Sequence, residues 1–96
     1  MLALRVNLVA GARHERFAVG TSVAALTFVR AETIDEAENI AARELEGLGW
    51  ARMETERCKQ ITNYAQYQGK ETLVAQAFRN AEESGFGYII YPEVGT

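Results

Sequence analysis

An α+β fold, an antiparallel sheet with two helices on one face, is what this sequence predicts, and three observations carry the expectation. Leu2, Leu4, Val6 and Leu8 alternate with Ala3, Arg5, Asn7 and Val9, the period of two that marks a strand with one buried face. Thr33 to Gly47 and Lys70 to Gly85 each place apolar residues at helical spacing. The two helical stretches also open and close alike. Glu32-Thr33-Ile34 and Glu71-Thr72-Leu73 begin them, and Gly47-Leu48-Gly49-Trp50 and Gly85-Phe86-Gly87-Tyr88 end them. A unit of helix, glycine corner and aromatic strand start therefore occurs twice, and the simplest reading puts both helices on the same face of one sheet.

Gly11-Ala12-Arg13-His14-Glu15-Arg16 ends the first strand with glycine and charge, so it reads as a turn. Phe17 to Val19 resumes as a short strand, interrupted at Gly20-Thr21-Ser22 by a bulge or bend. Val23 to Ala31 follows as a strong strand, with Val23, Ala25, Thr27 and Val29 on one side and Leu26 and Phe28 on the other. Apolar groups on both sides place it in the middle of the sheet. In the first helix Thr33 and Glu36 stand at capping-box spacing, and Ile34, Ala37, Ala41, Leu45 and Leu48 share the apolar face. Gly47 or Gly49 supplies the left-handed residue that ends it. Ala51 to Ile61 alternates weakly and is rich in charge, the composition of a strand at a sheet edge or with one wet face.

Thr62 to Gln68 reads as strand or loop. The second helix then puts Val74, Ala77, Phe78 and Ala81 on one face, and Tyr88 to Tyr91 is the last strand, stopped by Pro92. With 62–68 as a strand, the choice the duplication favours, the order is the ferredoxin-like βαββαβ with an extra N-terminal strand. With 62–68 as a loop it is ββαβαβ. Either way the plan is a two-layer α+β sandwich.

Residues 1–96 form a single domain, since 48% hydrophobic content and one proline suit a modest core in a chain too short for two. The one cysteine, Cys58, has no partner for an intramolecular disulfide, and Met1 to Asn7 lacks the pattern of a secretory leader, so a cytoplasmic setting is expected. No window is apolar enough to span a membrane. Up to Ala31 four arginines (Arg5, Arg13, Arg16, Arg30) stand against Glu15, whereas from Glu32 to Glu56 eight acids face Arg43 and Arg52. The dispersed arginines do not make a nucleic-acid patch. The acids read as a solvated helix face.

No motif for catalysis, metal or nucleotide rises above background. His14, the single histidine, sits in a charged turn with no nucleophile placed near it, and reads as an exposed turn residue before it reads as a general base. Arg57 and Lys59 flank Cys58, but on a strand they point to the opposite face, which leaves Cys58 as a small packing residue. Gly69-Lys70-Glu71-Thr72 fails as a phosphate loop, because Tyr64 stands where the upstream glycine belongs and Glu71 where a Ser or Thr is required. Glu36, Glu38, Glu44 and Glu46 lie along a helix flank and do not form a metal loop. No cofactor is expected.

Asn63-Tyr64-Ala65-Gln66-Tyr67-Gln68-Gly69 has the aromatic and amide composition of a recognition surface, and Tyr88 and Tyr91 could extend it. The candidate binding residues are Tyr64, Gln66, Tyr67, Tyr88 and His14. The expected function is a small non-catalytic protein-binding or self-associating module that acts through its sheet face or edge. The alternative is a small ligand-binding protein or enzyme with a pocket at a dimer interface, using His14 and the tyrosines. A homodimer is the expected state, with a second copy covering the sheet face that the helices leave bare or joining sheet edges. Another protein is the other partner considered, and neither nucleic acid nor membrane is expected.

Overall fold

The computed structural model describes residues 1–62, 65 and 72–90, and its sheet is built outward from the first strand. Strand β1 (Leu2–Ala10) buries Leu2, Leu4, Val6, Leu8 and Ala10 on one side, as its alternation demands. It pairs antiparallel with β2 (Ser22–Val29) on one flank and with β3 (Trp50–Gln60) on the other, while β4 (Phe86–Ile90) pairs antiparallel with β2. The sheet order is β3-β1-β2-β4. Helices α1 (Ile34–Gly47) and α2 (Leu73–Ser84) complete an α+β fold whose described elements run ββαβαβ.

This is not the ferredoxin-like order. Because β2 and β3 are both antiparallel to β1, they run parallel to each other with β1 between them. The N-terminal strand, expected as an addition to the sheet, is the central strand that fills a split β-α-β unit. The strand expected over 62–68 falls, apart from Thr62 and Ala65, outside the described residues. Phe17 to Val19 is not a strand either. Thr21 N–H donates to the Ala18 carbonyl across a turn that holds Gly20 at φ +87°, and Ala10 exchanges backbone bonds with Thr21 and Gly20 at the loop's base.

The two helices open as the repeat implies. Thr33 Oγ1 accepts from Glu36 N–H at 3.1 Å, and Thr72 Oγ1 accepts from Ala75 N–H at 3.1 Å, each capping a first turn. They do not share a sheet face. On α1, Ala37, Ala41 and Leu45 are fully buried in one core with Leu4, Val6, Leu8, Ala25 and Val29. On α2, Ala77, Phe78 and Ala81 form a second core with Phe28 and Ile61, joined by Leu26 and Ile89. The registers put Leu26, Phe28 and Ile89 on the side of the sheet opposite Leu4, Ala25 and Val29. One helix therefore lies on each face. The cause is β2: with apolar groups on both sides it needs cover twice, and α2 brings Phe78 edge-on to Phe28, ring centroids 5.5 Å apart. The cover expected from a second copy comes from the same chain.

Ile34 and Leu48, assigned by spacing to the buried face of α1, are each 51% exposed. They occupy the first helical position and the C-cap, where the helix ends leave the sheet. The polar reading of β3 holds: it is an edge strand with one exposed side.

α2 fits against β4 because Gly87 has no side chain: a Cβ there would lie 2.0 Å from the Ala77 carbonyl oxygen. Arg30, just past β2, ties the end of α2 down, its guanidinium donating to the Glu82 carbonyl at 2.8 Å and its N–H to the Gly85 carbonyl at 3.0 Å. A cation at a helix C-terminus also opposes the helix dipole favourably.

Two glycine substitutions test this packing. Gly87→Ala is expected to lose about 1–3 kcal/mol or more, since neither backbone can move without breaking the helix–sheet contact. Gly47→Ala, with nothing within 4 Å of the added carbon, is expected to gain up to about 1 kcal/mol of helix stability. Urea melts of the two variants measure both, and equal midpoints would show that α2 does not press on Gly87.

Candidate functional site

The described side chains that come closest to a site gather where the first loop meets the end of α1. α1 stops at Leu48, and Gly49 takes φ +98°, a conformation glycine adopts freely. Its lack of a side chain matters as much: a Cβ on Gly49 would sit 2.7 Å from the His14 Cα. Gly11 N–H donates to the Gly49 carbonyl at 2.9 Å, so the loop after β1 is fastened across the corner that starts β3. His14 is thereby laid against Trp50, its ring 4.3 Å away and edge-on, with Phe17 5.2 Å from His14 and 5.6 Å from Trp50. On the far side, Trp50 Nε1–H donates to the Tyr88 hydroxyl at 3.4 Å. An open cleft of about 340 Å³ is lined by Arg13, His14, Arg16, Leu48 and Tyr88 among others.

The bonding of His14 decides what this cluster can do. Its Nδ1 accepts from both the Arg16 N–H and the Phe17 N–H, each at 3.1 Å. Nδ1 is then the unprotonated nitrogen and Nε2 carries the hydrogen. Such a ring has no spare lone pair. To take a proton from a substrate it would first have to release two backbone donors, so His14 is a turn-forming residue here and the general-base role has no support in the geometry.

Cys58 lies on β3 beneath α1, partly buried among the apolar core. Burial pushes its thiol above the usual range, and the Glu38 carboxylate nearby adds to the shift. That is the reverse of what a nucleophilic thiolate needs. Among the described residues no group of three or more His, Cys, Asp or Glu could hold a metal.

Of the binding residues picked from sequence, the structure brings His14 and Tyr88 together, on either side of Trp50 and lining one cleft. Tyr64, Gln66 and Tyr67 lie outside the described residues, as does Tyr91. Trp50 is the residue that sequence reasoning misses. Its signal is present, since Trp50 and Tyr88 hold matching places in the duplicated glycine corner, 38 residues apart, and they meet in space. A second surface is legible only as a weak alternation. The outer edge of β3 pairs with nothing among the described residues, and Arg52, Glu54, Glu56, Arg57 and Lys59 stand exposed along it.

Comparison of the chain with protein-family models, with curated proteins and with solved structures finds no match.

His14→Ala removes the acceptor of two backbone donors and is expected to cost about 1–2 kcal/mol. Trp50, the single tryptophan and only 3% exposed, should then emit at longer wavelength. Unchanged melting and emission would show that the imidazole does not order the loop. For Cys58, the rate of alkylation by iodoacetamide should rise with pH at a higher midpoint in the folded chain than in urea. The folded thiol holds its proton longer, so between the two midpoints folding takes up protons and stability falls as pH rises. Coincident midpoints would contradict the burial argument.

Proposed function

We propose that this chain is a small non-catalytic module that binds protein, its own copy or another, through the free edge of β3 and the adjoining sheet face. The observation that carries the reading is the edge itself. β3 is 11 residues long, pairs only with β1 among the described residues, and so leaves a row of backbone donors and acceptors for a further strand. The sheet face beside it bears Arg5, Asn7, Arg52, Glu54, Arg57 and Lys59, because α2 lies against β2 and β4 and does not extend over β3. A polar surface of this kind suits an association that forms and dissolves rather than an obligate one.

The cleft at His14 and Tyr88 supports the second reading, a small ligand held between these rings with Arg13 and Arg16 also in its lining. It is the weaker of the two, because the one imidazole is committed to the loop. No described helix is long and apolar enough to cross a membrane. We place the module in the cytoplasm, where the single unpaired thiol Cys58 would remain reduced.

The test is selection of a displayed library of extended peptides on the immobilised chain, with the contact surface of the winners mapped by amide NMR shifts. Shifts along Arg52 to Lys59 and on Arg5 and Asn7 are the expected result. Peptides that instead perturb Leu48, Trp50 and Tyr88, or a library without binders together with a chain that stays monomeric, would overturn the edge reading.

A further inference from the structure

We infer that the partner of the β3 edge is the β3 edge of a second copy, paired antiparallel about a two-fold axis between Glu56 and Arg57. The inference rests on the edge reading above and adds the identity of the partner and its register. Its starting point is a bulge. β3 pairs with β1 through Arg57 opposite Arg5 and then Thr55 opposite Val6, so Glu56 is the extra residue. The bulge shifts the phase of the strand. Before it, Arg52 and Glu54 are exposed and Met53 and Thr55 half-buried; after it, Arg57 and Lys59 are exposed and Cys58 half-buried.

A second strand can lie alongside such an edge, outward residues meeting outward residues, only if each strand's first half faces the other's second half. Two registers do so over most of the strand. In one, Arg52 would face Lys59 of the second copy, a like-charge pair that is unfavourable directly across strands. In the other, Glu54 faces Lys59 of the second copy and Glu56 faces its Arg57, and the two-fold axis repeats both pairs. Every outward charge from Glu54 to Lys59 then meets its opposite. Glu54, Arg57 and Lys59 have no ion pair with a described residue, so these charges are available. Glu56 already accepts from Asn7 Nδ2 and lies 3.7 Å from Arg5 Nε, so its carboxylate leans toward β1 and the Glu54–Lys59 pairs carry the match. Charge and bulge ordinarily keep an edge from pairing with arbitrary strands. Here they disfavour other partners while leaving one self-pairing matched. The product is a continuous sheet of eight described strands, twice the four described in one chain, with two-fold symmetry and no apolar interface.

Charge-swap variants of the full chain decide it, because all the positions are exposed and the fold can be checked by circular dichroism. Sedimentation equilibrium from micromolar to millimolar chain should show a weak monomer–dimer equilibrium. Glu54→Lys and Lys59→Glu should each weaken it at least about tenfold, since each sets two like-charge pairs across the axis. The double variant carrying both changes should recover the dimer. So should a mixture of the two single variants, because in the mixed pair opposite charges again face each other at both contacts between positions 54 and 59. A chain monomeric throughout, or a dimer that ignores these changes, would overturn the inference. In that event extended peptides that still bind β3 would leave the broader edge reading standing, and peptides bound elsewhere would remove both.

Discussion

Phe28 and Thr27 are neighbours in one strand, both fully buried, and they point to opposite sides of the sheet. That is the constraint on which the rest of this structure depends. A strand flanked by β1 and β4 has its backbone satisfied, but its two rows of side chains need separate apolar cover. One helix cannot give it. α1 crosses from β2 to β3 over the face of Leu4 and Ala25, and the chain then has to deliver a second helix to the other face before it ends. Burial of Phe28 and Phe78, at roughly 1.5–3 kcal/mol for each large apolar side chain, makes that second layer worth ordering.

The consequence is an uneven coat. α2 is joined to β4 through Gly85 alone, at φ +93°, so it folds back directly on that strand and covers β4 and β2. The same face over β1 and β3 lies beyond its reach. There, beside Ala3 and Val9, the chain has put Arg5, Asn7 and the charged row of β3. Binary pattern and cover thus agree position by position: β2 is apolar on both sides and covered on both, whereas β3 is polar on the side left open. The open corner is where a partner has room.

Much of this is legible in the sequence because it depends on local periodicity. The alternation in β1, the two-sided apolar pattern of β2, the cap at Thr33 and the wet character of β3 each arise within a few residues, and each is found in the structure. The assignment of helices to faces fails because period alone does not say which side of a sheet a helix takes. The decisive residues are Leu26 and Phe28, whose pattern suggests a second copy although α2 meets the same demand. The candidate binding residues follow the same logic. Tyr88 and His14 are set by contacts between distant segments, which spacing does not reveal, and the imidazole's two backbone donors come from a loop conformation no pattern encodes.

The duplicated corner shows how far sequence likeness can part from structural likeness. In Gly47-Leu48-Gly49-Trp50 the left-handed residue is the second glycine, and the first has open space around it. In Gly85-Phe86-Gly87-Tyr88 the left-handed residue is the first, and the second is there because a helix carbonyl leaves no room for a side chain. The positive φ therefore falls two residues earlier relative to the aromatic residue in the second corner. Trp50 starts its strand, whereas Tyr88 is the third residue of its own. A repeated string of glycines thus makes two different turns, each of which returns the chain to the one sheet from a helix on a different face. The likeness survives in one contact: both aromatic residues point to the α1 side, and the indole N–H of one reaches the hydroxyl of the other. What the duplication specifies is this shared aromatic seam under α1, and a symmetric pair of helix–strand units does not follow from it.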